Sequence, residues 1–428
     1  MRPSRSFDFV EDATLSQTTV RAPARGSKAW LRFAWVLGPG LMAMMADTDV
    51  GSIVTAAQSG VRWGYALLPL QILLIPVLYI VQELTVRLGL TTGCGHGELI
   101  CTYCGRKWGW VSVSGLTIAV LGAMVTEFSG IAGVGELLGV PRAVSLSLAV
   151  LFLLAVVWAG SYRHVERVVL GLGLFELVFV WTATSARPGA EAIRAMAGAW
   201  HSMDFRYLVA ANIGAVIMPW MIFFQQSAVV DKGLKPEHLR AARWDTAIGA
   251  VVTQVIMAAV LMTAALSASS PRAAAALGTM RGMAQILVPQ LGPRWGRIVF
   301  AAGISGAALV ALLVTALAAA WGLGEMTGYK RSLEHTPRQA PWFYGVYALA
   351  VVGAAALVAR VTDLVALNVA VEVMNALLLP LVLGLLVYLA ARVLPAPHRL
   401  RGVQLHTAVI VCTLTSAIGV WCGLSSLL

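Results

Sequence analysis

Apolar runs of roughly 18 or more residues follow one another along almost the whole chain, each ended by a short polar stretch. A run of that length crosses a ~30 Å hydrocarbon core as a helix. The runs lack the period-2 alternation of barrel strands, so the pattern predicts an all-α integral membrane protein. Eleven spans are expected, near 30–59, 65–90, 109–136, 143–160, 165–185, 206–230, 244–268, 296–323, 341–360, 365–392 and 406–425. Residues 1–28 are polar and lack the apolar core of a signal peptide, so they read as a disordered cytosolic arm. Residues 29–428 then form a single transmembrane domain.

Composition agrees: 59% of the chain is hydrophobic and 12% charged, about half the charged fraction of a soluble domain. The net charge of +11 would suggest nucleic acid in a polar protein. In a chain this apolar, Lys and Arg sit in short loops and set topology. Arg106, Lys107, Lys232, Lys235, Lys330, Arg331, Arg399 and Arg401 all fall on the side that holds the N-terminus. The chain is expected to cross an inner (cytoplasmic) membrane many times, N-terminus inside and C-terminus outside, with lipid and no nucleic acid as partner. The outside loop 269–295 carries an amphipathic stretch, Ala273–Leu287, suited to the membrane surface.

Two spans carry polar residues and helix breakers at mid-membrane. In the first, GPGLMAMMADTDVGSIV places Asp47, Thr48, Asp49, Gly51 and Ser52 between apolar halves. In the sixth, IGAVIMPWMIFFQQS places Pro219 centrally, followed by Gln225 and Gln226. Proline removes a helix hydrogen bond, and freed backbone is tolerated in lipid only where it lines a cavity or protein. Two interrupted helices five spans apart are the mark of an inverted-repeat transporter with its site between the breaks. Spans 1–5 (about 29–185) and 6–10 (about 206–392) form the repeats. Span 11 (about 405–425) is peripheral.

An intramembrane carboxylate is costly and usually functional. Asp47 and Asp49, with a hydroxyl and unwound carbonyls, make a cation site; either carboxylate alone could instead cap the second half-helix. Met218, just before Pro219, offers a soft thioether that discriminates for transition metals, although methionine commonly serves packing.

These residues resemble the Nramp family of divalent metal transporters, from about residue 36 to 392. Gly38-Pro39-Gly40 followed by Asp49-Val50-Gly51-Ser52 is similar to the family's first-span GPG…Asp-Pro-Gly-Asn. QSGVRWGY (Gln58 to Tyr65) and GAVIMPWMIFFQQS resemble QAGARYGY and GATVMPHNLYLHSS. The resemblance implies a leucine-transporter-type 5+5 inverted repeat with helices 1 and 6 broken. It implies a transported divalent metal ion, with or without protons, and no other cofactor. The metal ligands it carries over are Asp49, Met218, the Ala215 carbonyl and, at the asparagine position, Ser52; Asp47 is an extra acid. Glu127 falls on an acid of the family's proton path.

There are departures. Trp220 replaces a histidine, Gly130 a second acid and Val50 a proline; Leu378 falls on a glutamine ligand, for which Asn375 could substitute. Thr48, Trp220, Asn375, Gln225 and Glu372 are expected around the site or along the pathway. The main expectation is import of Mn²⁺ or Fe²⁺ by alternating access. An uncoupled Mg²⁺/Mn²⁺ carrier stays open, as does an amino-acid or organic-solute carrier on the same fold. The chain shows no HExxH, no GxSxG and no intramembrane histidine cluster, so it is not expected to be an enzyme.

Two further groups are weighed. Glu166, beside Arg163 and Arg167, reads as an interfacial ion pair. Cys94, His96, Glu98, Cys101 and Cys104 lie within one loop, but not at the spacing of a standard zinc finger, and are expected to be reduced.

Overall fold

The computed structural model describes residues 35–186, 191–268, 271–288, 291–360 and 365–426. The expected arm 1–28 lies outside them. Among the described residues every regular element is helical.

The first span is two helices, α1 (Pro39–Asp47) and α2 (Val50–Trp63). Pro39 opens α1, where its missing N–H and fixed φ cost nothing. At the break, Asp49 is extended (φ −81, ψ 176) and its side chain accepts from the Ser52 N–H, capping α2. Next come α3 (Leu68–Thr92), the short α4 (His96–Tyr103), α5 (Arg106–Leu137), α6 (Arg142–Trp158) and α7 (Tyr162–Gly173). The fifth span, expected as one helix, is interrupted. A 3₁₀ turn, Leu174–Leu177, separates α7 from α8 (Val178–Thr182). Gly171 and Gly173 precede the turn and are poor helix formers. Gly173 also lets this segment press against α1, since a Cβ there would run into the Met45 sulfur.

After α9 (Glu191–Ala199), the sixth span repeats the plan of the first. Helix α10 (Met203–Val216) stops, Ile217 and Met218 run extended, and Pro219 opens α11 (Pro219–Asp231). The remaining helices are α12 (Leu239–Ala265), α13 (Pro271–Ala276), α14 (Met280–Leu287), α15 (Gly292–Thr327), α16 (Pro341–Val358), α17 (Val365–Arg392) and α18 (Gly402–Ser425). Among the described residues, eight stretches are long and apolar enough to cross a membrane, with α10–α11 counted as one. The broken first span, the 17-residue α6 and the interrupted fifth span complete the expected crossings.

The broken helices lie at the centre of the bundle. Helix α12 packs against α1, α2 and α3, while α10 packs against α17 and α18. The crossing of α10 and α17 depends on Gly214, whose absent Cβ would run into the Glu372 carbonyl and lie 2.8 Å from the Ala376 nitrogen. The stretch expected on the membrane surface behaves differently. Met280, Met283, Ala284, Ile286 and Leu287 of α14 are buried, and α14 packs on α5, α12 and α15. Its apolar face is spent on protein.

Candidate metal site at the two helix breaks

The breaks face each other. Ser52, in the first turn of α2, donates its hydroxyl to the Ala215 carbonyl near the end of α10 at 3.2 Å. Asp49 divides its carboxylate between two roles. Oδ1 accepts from the Ser52 N–H at 2.7 Å, while Oδ2 is buried with no partner among the described residues. The capping and ligand readings are thus compatible, one oxygen for each. An unpaired buried carboxylate oxygen is costly unless a cation or proton meets it.

Met218 is extended at the second break, and its sulfur accepts a hydrogen bond from the Trp220 indole N–H at 3.2 Å. Trp220 cannot carry a proton as a histidine would; here it fixes the thioether. The site is sealed: Asp49 and Met218 are 0% exposed, Ser52 1% and Ala215 3%.

Acids flank this centre. Glu127 of α5 receives the Val50 N–H on both carboxylate oxygens at 3.2 Å, which holds the start of α2. Glu372 of α17 lies against Gly51, where a Cβ would strike its carboxylate, and receives the Asn375 amide at 3.1 Å. The Asn375 carbonyl oxygen is buried and unpartnered. Asp47 turns toward α12. Its Oδ2 accepts from Thr253 at 3.3 Å, and Thr48 shares a 2.8 Å hydroxyl pair with the same residue. Gln225 also points to α12, donating to Thr246 at 3.0 Å; it does not join the Ser52–Ala215 centre.

Two departures from the family pattern turn out to be one. A Cβ at Gly130 would sit 2.5 Å from Val50 Cγ2 and 2.9 Å from Cγ1, so valine at the proline position fills the space of the absent second acid. Among the described residues, no three His, Cys, Asp or Glu side chains are gathered to hold a metal. The groups that meet directly are the Asp49 carboxylate, Ser52 and the Ala215 carbonyl, with the Met218 sulfur held at the second break by Trp220.

At the end of the bundle where α1 begins, a second set of contacts closes the structure. Asp245 of α12 accepts the N–H groups of Gly38, Gly40 and Leu41 at 3.1, 2.7 and 3.3 Å. Glu166 pairs with Lys232 at 2.6 Å, with Arg163 and Arg167 also within electrostatic reach, and Lys232 donates to the Leu37 carbonyl at 2.8 Å. Glu325 of α15 receives the Gly97 N–H and the Ser227 hydroxyl at 2.7 and 2.6 Å, tying α4 beneath α11. The cysteine loop belongs to this closure. His96 is buried, its Nδ1 lies 3.1 Å from the Gln226 side-chain oxygen, and burial pushes its pKa down to about 4. Burial raises the pKa of the Cys94, Cys101 and Cys104 thiols.

The sequence reading passed over Asp245, Glu325 and above all Glu176, a fully buried acid in the 3₁₀ turn of the fifth span. An acid inside GLGLFELVFVW was signal enough to find it.

Comparison with known proteins agrees with this architecture. Residues 40–425 match the family model Nramp, natural resistance-associated macrophage protein-like. The divalent metal cation transporter MntH of Klebsiella pneumoniae is 27% identical over 242 residues, 54% of this chain and 58% of that protein. The MntH of Aeromonas hydrophila is 28% identical over 301 residues, 67% of this chain and 72% of that protein. The chain thus spans little more than half the length of some curated relatives. A manganese transporter of Eremococcus coleocola superposes with a TM-score of 0.74 at 18% identity, covering 95% of this chain and 90% of that one. MhsT, solved with L-phenylalanine, gives 0.57 at 14% identity, covering 92% and 98%. The fold is therefore the leucine-transporter-type inverted repeat, and the chain belongs to the Nramp family.

Proposed function

We propose that this protein is a secondary transporter that imports divalent transition-metal ions, Mn²⁺ or Fe²⁺, into the cytosol by alternating access. One observation carries the reading. The Ser52–Ala215 hydrogen bond joins the two helix breaks in a sealed space, with the half-free carboxylate of Asp49 beside Ser52 and the thioether of Met218 at the second break. Asp49 anchors the charge, and the soft sulfur favours transition metals over Mg²⁺ and Ca²⁺. The Ala215 carbonyl, which accepts from Ser52 on one lone pair, has a second to offer the ion. Asp47 adds negative charge from the α12 side, and Asn375 offers its free carbonyl oxygen from α17. The printed names of the relatives, divalent metal cation and manganese transporters, support the substrate class.

An amino acid is a poor fit, because Asp47, Asp49, Glu127 and Glu372 crowd the centre and would repel a substrate carboxylate. For proton coupling, Glu127 is the acid left in place, with Gly130 and Trp220 at the other family positions. That arrangement favours weak or absent coupling, and with it the second reading, an uncoupled Mn²⁺/Mg²⁺ carrier. An inner-membrane location with the N-terminus inside follows from the distribution of Lys and Arg.

Uptake of Mn²⁺ into proteoliposomes tests the proposal. Wild-type protein should accumulate the ion and Asp49→Ala should not; normal uptake by Asp49→Ala would refute the site.

A further inference from the structure

Glu176 is an acid that the transport site leaves unused. It lies in the 3₁₀ turn between α7 and α8, and short 3₁₀ interruptions inside a helix often mark functional positions. The residue is 0% exposed, and neither carboxylate oxygen has a hydrogen-bond partner among the described residues. The nearest polar side chain it faces is the Thr48 hydroxyl.

Thr48 belongs to the break between α1 and α2 and is already engaged. Its hydroxyl pairs with that of Thr253 at 2.8 Å, and Thr253 donates to Asp47 Oδ2 at 3.3 Å. Asp47 Oδ1 is likewise buried and unpartnered. Glu176 also lies within electrostatic reach of Asp47, so two buried acids with unsatisfied oxygens flank the Thr48–Thr253 pair. Asp49 and Glu372 stand within electrostatic reach of Asp47 and deepen the negative potential. A buried carboxylate with unpaired oxygens is costly unless a cation or proton compensates.

The donors here differ from those at the Asp49–Met218 centre. All are oxygens, two carboxylates and two hydroxyls, beside the break between α1 and α2. That is a ligand set for a hard cation, whereas a thioether serves a softer one.

We propose that Asp47, Thr48, Thr253 and Glu176 form a second cation site, for a hard oxygen-seeking divalent ion, on the α12 side of the first helix break. An ion there neutralises Asp47 and Glu176 together and joins α1 to the fifth and seventh spans. The site stands on Glu176 whether or not Asp49 carries the transported ion.

The test is Mg²⁺ binding to the full-length protein in lipid nanodiscs, measured by calorimetry. Asp49→Asn keeps the α2 cap and removes charge from the transport centre, so this protein should still bind Mg²⁺ at one site. Adding Glu176→Gln should weaken that binding at least a hundredfold, and adding Thr253→Val instead should weaken it about tenfold. Glutamine preserves the shape at position 176, and gel filtration confirms that each variant is folded. An Asp49→Asn protein that binds no Mg²⁺ would overturn the proposal, as would binding unchanged by Glu176→Gln. Failure of the transport reading shows separately, as normal Mn²⁺ uptake by Asp49→Ala.

Discussion

The Ser52 hydroxyl and the Ala215 carbonyl, 163 residues apart in sequence, meet at 3.2 Å and join the two broken helices across the middle of the bundle. Each satisfies the other in the sealed state. A metal ion at the Ala215 oxygen either shares it with Ser52 through the second lone pair or displaces the hydroxyl, and displacement forfeits a hydrogen bond worth about 0.5–1.5 kcal/mol. Replacing Ser52 with asparagine supplies an amide oxygen as an added ligand. Ser52→Asn is expected to lower the KM for Mn²⁺ uptake about tenfold, or ~1.4 kcal/mol; an unchanged or higher KM would show that Ser52 does not face the ion.

Met218 is expected to set selectivity more than rate. With Met218→Ala the carboxylate, the carbonyl and the hydroxyl remain, all oxygen donors that suit hard ions. Mn²⁺ uptake should continue with a several-fold higher KM, and Mg²⁺ should become an effective competitor. Trp220→Phe, which removes the N–H bound to the sulfur, should shift selectivity in the same competition assay while preserving packing. If neither variant alters competition by Mg²⁺, the thioether is a packing group.

Val50 and Gly130 form a steric pair. Gly130→Asp pushes its side chain into Val50, and overpacking of this kind costs about 1–3 kcal/mol. The single variant should melt several degrees lower than wild type, whereas Gly130→Asp with Val50→Ala should recover most of the loss. A single variant as stable as wild type would mean that α2 and α5 are less tightly apposed than described.

His96 gives a pH signature outside the membrane spans. Its pKa falls from 6.5 to about 4 because burial disfavours the charged ring. The folded protein therefore holds fewer protons than the unfolded chain between those values. Stability is complete above about pH 6.5 and declines as pH falls toward 4, by on the order of 3 kcal/mol. Melting temperature recorded from pH 7 to pH 4 should show this decline in wild type and a flatter profile in His96→Gln. Parallel profiles would remove His96 from the account.

Much of this architecture is legible in the sequence because membranes impose long apolar helices, and because Pro219 and the Asp47–Ser52 segment can sit mid-span only in a protein-lined break. Side-chain direction is less legible. Asp47 and Asp49 are two residues apart, yet one turns to Thr253 and the other caps α2, a difference set by backbone angles at Thr48 that no composition rule supplies. Glu166 finds Lys232, 66 residues on, as a partner beyond its sequence neighbours. Glu176 is visible in the sequence as an acid inside an apolar run, but the 3₁₀ turn that interrupts that run is not.

The central claim is that the converging breaks bind and carry a transition metal. Its most direct test is radiolabelled Mn²⁺ uptake into proteoliposomes under a large excess of Mg²⁺, with wild type and Asp49→Ala in parallel. The account predicts wild-type uptake that persists under Mg²⁺ and is abolished by Asp49→Ala. Wild-type vesicles that take up no Mn²⁺, or that lose it fully to Mg²⁺ competition, would contradict it.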